Sequence, residues 1–143
     1  MKKAVFIFVL IFTLYSCDKP CEEGATGPPN FNVEIVNKVT NENVFANGAY
    51  LPSQLRVLTP GSSTFTYSFI SENNKNLINI SPAYVDGSFT TNIILNNQKT
   101  IPIKTKIYKT STKCFENFFI EKVEVVGYDY LYDEQTGIYT IKI

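Results

Sequence analysis

Phe115-Glu116-Asn117-Phe118-Phe119-Ile120-Glu121-Lys122-Val123-Glu124-Val125 is a run of aromatic and β-branched residues interleaved with charged ones. Period-two alternation of this kind predicts a strand with one face buried. Phe119, Glu121, Val123 and Val125 fall on one face, and Phe118, Ile120, Lys122 and Glu124 on the other. Gly127 then marks a bulge or bend, and Tyr128, Tyr130 and Tyr132 lead into Asp133-Glu134-Gln135-Thr136-Gly137. An acidic cap followed by a glycine able to take positive φ predicts a hairpin loop, from which Ile138 to Ile143 returns.

Working towards the N-terminus, the same grammar repeats. Ile101, Ile103, Thr105 and Ile107 alternate with polar partners, and Pro102 within that run predicts an edge strand or a strand end. Asn96-Asn97-Gln98 turns the chain back from a strand in which Phe89, Thr91, Ile93 and Leu95 share a face. Phe65, Tyr67 and Phe69 pair through an Asn-rich loop with Leu77, Ile78 and Ile80 as the clearest early hairpin. Gln54 to Leu58 forms a short strand ended by Pro60-Gly61, and Phe31, Val33 and Ile35 define a half-buried strand. Turns fall at Thr40 to Asn43 and at Asn47-Gly48. No stretch after the first sixteen residues carries a 3.6-residue period. About 7–9 short strands with frequent turns predict an all-β fold, an antiparallel, immunoglobulin-like β-sandwich, over residues 31–143.

The beginning of the chain reads differently. Lys2 and Lys3 precede Ala4 to Leu14, in which Thr13 alone is polar. This is the basic n-region and apolar h-region of a secretory signal, and it is shorter than the roughly 20 apolar residues a membrane-spanning helix needs. Leu14-Tyr15-Ser16-Cys17 resembles the bacterial lipobox, with an aliphatic residue at −3 and a small one at −1; Tyr15 departs from the commonest pattern. The resemblance implies a signal peptide over 1–16, cleavage before Cys17, a diacylglyceryl thioether on its sulfur and N-acylation. Two or three acyl chains hold a protein on a bilayer where one chain does not. Residues 17–30, with Pro20, Gly24, Gly27, Pro28 and Pro29, are expected to be a flexible tether.

Composition narrows the chemistry. The chain has 143 residues, with thirteen basic and thirteen acidic side chains. The leader carries two of the basic residues and none of the acidic ones, leaving eleven against thirteen, a net −2. Arg56 is the single arginine, so the chain has little with which to neutralise phosphates and nucleic acid is not an expected partner. Histidine is absent, which removes Ser-His-Asp and Cys-His nucleophilic sites and His-ligated zinc or copper. No cofactor, metal or catalytic residue is expected.

Cys17, Cys21 and Cys114 are the cysteines. With Cys17 alkylated by lipid, Cys21 and Cys114 are left as an even pair in an oxidising setting and are expected to form a disulfide; two free thiols are the alternative. Tyr128, Tyr130, Tyr132 and Tyr139 are the candidate binding surface, since tyrosine offers a flat apolar face with a polar rim. The competing reading makes that face the edge of the core. Asp129, Asp133 and Glu134 could offer oxygens to calcium, but their spacing matches no compact loop, and solvated turn carboxylates are the simpler reading. Lys99, Lys104, Lys106, Lys109 and Lys113 form a basic stretch, with Lys104 and Lys106 facing solvent as guards of an edge strand.

Three further stretches carry a family resemblance. Val44-Phe45-Ala46-Asn47-Gly48-Ala49-Tyr50, Phe69-Ile70-Ser71-Glu72-Asn73 and Asp133-Glu134-Gln135-Thr136-Gly137-Ile138-Tyr139 resemble segments of small lipoproteins of Bacteroidota, flavobacteria especially. The resemblance covers most of residues 31–143 and rests on turns and strands without catalytic content. This chain departs from it at Cys114, which Phe115 follows where the family places a second cysteine. The resemblance implies a β fold and an envelope location, and Asp18, Glu22 and Glu23 behind the lipobox are similar to surface-export signals of that group. The expected place is the outer membrane, with the leaflet open. The expected role is a non-catalytic binding or accessory module with a glycan or envelope-protein partner. The alternatives are a structural or assembly subunit of an envelope complex and, more remotely, a carboxylate-dependent hydrolase.

Overall fold

In the computed structural model, residues 24–61, 65–72 and 75–143 are described. Residues 1–16, Cys17 and Cys21, on which the leader, the lipid site and one half of the expected disulfide fall, lie outside them. Among the described residues there are ten strands, one 3₁₀ turn at Pro52–Gln54 and no α-helix.

The strands form two five-stranded sheets. The first sheet contains β1 (Gly24–Thr26), β3 (Leu55–Leu58), β6 (Gly87–Leu95), β7 (Lys99–Ser111) and β8 (Phe115–Val125), in the order β1-β8-β7-β6-β3. The second contains β2 (Phe31–Val36), β4 (Thr66–Glu72), β5 (Lys75–Ser81), β9 (Asp129–Asp133) and β10 (Ile138–Lys142), in the order β4-β5-β2-β10-β9.

Alternation along each strand aims one set of side chains at the opposite sheet. Ile93, Leu95, Ile101, Ile103, Val123 and Val125 of the first sheet meet Phe31, Val33, Ile35, Ile78, Ile80 and Ile141 of the second in one cluster. Isoleucine and valine dominate because branched side chains pack well on a pleated surface, and burying each contributes about 1.5–3 kcal/mol. Val44, Phe45 and Tyr50, from the loop after β2, close one part of this interior, with Phe45 meeting Phe69 edge-on at 5.0 Å. The expected sandwich is therefore present, as are the hairpins β4–β5, β6–β7 and β9–β10. At the β6–β7 turn Asn96 and Asn97 both take positive φ, 50° and 54°, the backbone of a tight hairpin that asparagine tolerates.

Four expectations need correction. The sheets are mixed rather than wholly antiparallel: β1 runs parallel to β8, and β10 parallel to β2. Parallel neighbours cannot be joined by a tight turn, and here each pair joins early and late segments of the chain. Second, the run around Pro102 is an inner strand, since β7 lies between β6 and β8. The sheet tolerates the proline because β8 pairs with β7 only from Ile103, and the Pro102 carbonyl accepts from Val126 N–H just beyond β8. The imide nitrogen points to that same side, and the one bond it cannot return, to the Val126 carbonyl, falls at the very end of the β7–β8 ladder. Lys104 and Lys106 face solvent as expected, but they guard no edge.

Third, the two faces of β8 exchange partway along. The register shifts between Lys106 and Ile107: Lys106 opposes Lys122, whereas Ile107 opposes Ile120. Glu121 is the extra residue of a β-bulge, which resets the alternation. Phe118 and Ile120 thus turn inward with Val123 and Val125, while Phe119 faces out beside Tyr108. Fourth, residues 24–26, expected to belong to a flexible tether, form β1. Gly24 sits under the Phe115 ring and Gly27 under the Tyr84 ring, each too close for a Cβ to fit without displacing the ring. Pro28 is buried beside them. The glycines that read as breakers are spacers for close approach.

Candidate binding surface

The β9–β10 hairpin is built by its own turn. Asp133 Oδ1 accepts from the Gln135 N–H, Oδ2 accepts from the Thr136 hydroxyl, and Gly137 takes φ of 68° while its N–H donates to the Asp133 carbonyl. These bonds fix the register that places Tyr132 opposite Tyr139 and Tyr130 opposite Ile141. The Asp133 carboxyl is held below its ordinary value, first by the Thr136 hydroxyl and then by the Gln135 N–H. Asp129 is likewise lowered by its hydrogen bond and ion pair with Lys38 at 2.7 Å.

On the sandwich-facing side of this hairpin, at the open edge of the second sheet, three tyrosines form a graded stack. Tyr139 is half-buried, meeting Phe31 edge-on at 5.9 Å, and Tyr132 stacks on it with centroids 4.4 Å apart and planes 28° from parallel. Tyr130 tilts beside Tyr139 at 6.3 Å. Burial first, then the neighbouring Tyr132 and Tyr130, push the Tyr139 phenol above its usual range. Tyr132 stays 49% exposed. Tyr128 stands apart, its hydroxyl donating to the Thr100 carbonyl across to the first sheet. Tyr128, Tyr130 and Tyr139 all pack on the core, so the edge-of-core reading describes them, and Tyr132 alone presents an open ring. Asp129, Leu131 and Asp133 point the other way and are exposed.

The other candidates are spent on local structure. Asp129 is ion-paired and Asp133 caps its turn; among the described residues no three metal-binding side chains gather at one place. On the outer face of the first sheet, Lys106 pairs with Glu121 and Lys122 with Glu124, while Lys109 pairs with Glu116 on the side of Phe118, each within 2.9 Å. Cys114, in the turn between β7 and β8, is disulfide-bonded, and its bonding partner lies outside the described residues.

One grouping was not legible in the sequence. Tyr108 and Phe119 stack at 5.2 Å on the outer face of the first sheet, and Phe115 at the start of β8 is exposed as well. Tyr84 and Val85 are exposed in the loop before β6, with Tyr84 edge-on to Phe118 at 5.9 Å. The doublet Phe118-Phe119 was the available signal, since adjacent strand residues cannot both face inward.

No family model, curated protein or solved structure matches this chain. Among the described residues, no helix is long and apolar enough to cross a membrane.

Proposed function

We propose that this protein is a lipid-anchored lipoprotein of the bacterial envelope, held through Cys17 at the outer membrane, whose sandwich is a non-catalytic binding or accessory module. The likeness of Leu14 to Cys17 to a lipobox supports the anchor, and the likeness to flavobacterial lipoproteins supports the location. The observation that carries the binding role is Tyr132, a half-exposed ring held flat against Tyr139 at an open sheet edge. A pre-stacked ring loses little freedom on binding and offers an apolar face with a hydroxyl rim, suited to a sugar ring or a partner's apolar side chain. The immunoglobulin-like form belongs to this proposal too. Two packed sheets with loops at their ends support it, while the parallel pairs give the chain a strand order of its own.

Full-length lipidated protein in detergent, applied to glycan and peptide arrays, tests the role. The expected result is a ligand retained by the wild type and lost in Tyr132→Ala, with an unchanged circular dichroism spectrum. Failure to retain any ligand, together with co-purification in a stable envelope complex, replaces the binding module with the assembly subunit.

A further inference from the structure

The described chain begins at Gly24, and the fold fixes which end of the sandwich that is. β1 runs beside the start of β8, with Gly24 opposite Phe115 and the Gly24 N–H donating to the Cys114 carbonyl. Six residues separate Gly24 from Cys17. A chain spans at most about 3.6 Å per residue, so the two Cα atoms lie within about 25 Å of each other. β7 alone has thirteen residues, about 43 Å at the usual strand rise of about 3.3 Å. The tether is thus shorter than the body it holds, and the β1 end is the end nearest the anchor.

Five exposed apolar side chains lie towards that same end, Phe115, Phe119 and Tyr108 on the outer face of the first sheet and Tyr84 and Val85 in the loop beside Phe118, whereas Tyr67 and Tyr132 are exposed on the second sheet. Phe115 is 53% exposed and Tyr84 60%, with Phe119, Tyr108 and Val85 at 40–43%. Further along the outer face of the first sheet the surface changes to Lys104, Lys106, Lys122 and Glu124. Aromatic rings with polar surroundings are the side chains that settle at the boundary of headgroups and acyl chains.

We propose that Phe115, Phe119, Tyr108, Tyr84 and Val85 seat this end of the sandwich in the interface of the bilayer that holds the Cys17 lipid, so that the domain is docked on its membrane. The proposal rests on the lipoprotein reading above. Docking fixes which surfaces face outward, and the tyrosine stack of β9–β10 belongs to the other sheet.

The absence of tryptophan from the whole chain permits a clean test. Phe119→Trp, Tyr108→Trp and, as the control on β9, Leu131→Trp are each made in the full precursor, processed in a lipoprotein-exporting host. Each is reconstituted in phosphatidylethanolamine–phosphatidylglycerol vesicles with or without brominated acyl chains. A side chain at the headgroup–acyl boundary should be quenched at least about twofold by bromine, with a blue-shifted emission. The expected result is quenching at 119 and 108 and none at 131. Flotation with the vesicles reads the anchor separately. Protein that floats but shows no quenching at 119 and 108, or equal quenching at all three sites, overturns the docking and leaves the anchor standing. Protein that carries no lipid and does not float overturns both.

Discussion

Asn43 Nδ2 donates to the Asn76 carbonyl at 2.9 Å, fastening the loop after β2 to the beginning of β5 across 33 positions of sequence. The same amide also donates to Glu34 Oε1, while its Oδ1 accepts from the N–H groups of Phe45 and Ala46. These bonds hold Val44 and Phe45 in the core. Asn43→Ala should cost about 1–3 kcal/mol, because partly buried backbone groups lose their partners. Asn43→Asp keeps the two acceptor bonds but loses both donors and faces Glu34, so it should lie between wild type and alanine at low pH and fall near alanine at neutral pH. Urea denaturation at two pH values measures both.

Thr105 lies on β7 with its side chain buried against the opposite sheet, and its hydroxyl has no hydrogen-bond partner. Thr91, the other buried threonine, shares a 2.9 Å bond with the Thr59 hydroxyl. An unpaired buried hydroxyl costs about 1–3 kcal/mol relative to a methyl of the same shape. Thr105→Val should therefore raise stability by about 1 kcal/mol or more, whereas Thr91→Val should lower it or leave it level. A thermal melt that falls for Thr105→Val would refute this.

Asp129 and Asp133 both titrate below the ordinary aspartate value of 3.8. A lowered folded-state value means that the stabilisation is present above that ordinary value and is lost as pH falls through the folded one. Stability should therefore decline only on the acid side of 3.8 on account of these groups. Lys38→Met should bring the Asp129 titration back up, and Thr136→Ala that of Asp133, each without moving the other. Side-chain carboxyl shifts followed by NMR titration read both directly. Both groups are exposed, so the change in melting temperature should be small.

The Cys114 disulfide bears on the anchor. We expect Cys21 as its partner, with Cys17 carrying lipid. Closing a loop of about ninety residues stabilises by at most about 4–5 kcal/mol in the chain-entropy model, so reduction or Cys114→Ser should lower the urea midpoint substantially. Non-reducing peptide mapping decides the partner. A Cys17–Cys114 peptide would defeat the lipid assignment, and Cys17→Ala should move the protein from the membrane fraction to the soluble one.

The strands and hairpins were readable because their signals are local: alternation over five to nine residues, and Asn or Asp-Gly type turns. Which strands are neighbours was not. Pro102 carries a true local constraint, but whether an edge is needed depends on where β8 stops, and that is set by the bend at residues 126–128. The bulge at Glu121 defeats the simple alternation rule because one extra residue reverses every face after it. It turned Phe119 outward and so concealed the aromatic group around Tyr108 from a sequence reading. Tyr132 could be named as a candidate but not separated from Tyr130 and Tyr139, since their difference in exposure comes from the lateral position of β9 at the sheet edge.

The parallel pairing of β2 with β10 has a temporal side. β2 needs β10 on one flank, and β10 occupies residues 138–142, so the second sheet cannot close until those residues have been made. Pairings of such long sequence separation form slowly, on the millisecond-to-second scale. If the chain is exported as proposed above, that delay keeps the polypeptide threadable. The order of the strands thus acts as a timer, holding back closure of the second sheet until β10 arrives.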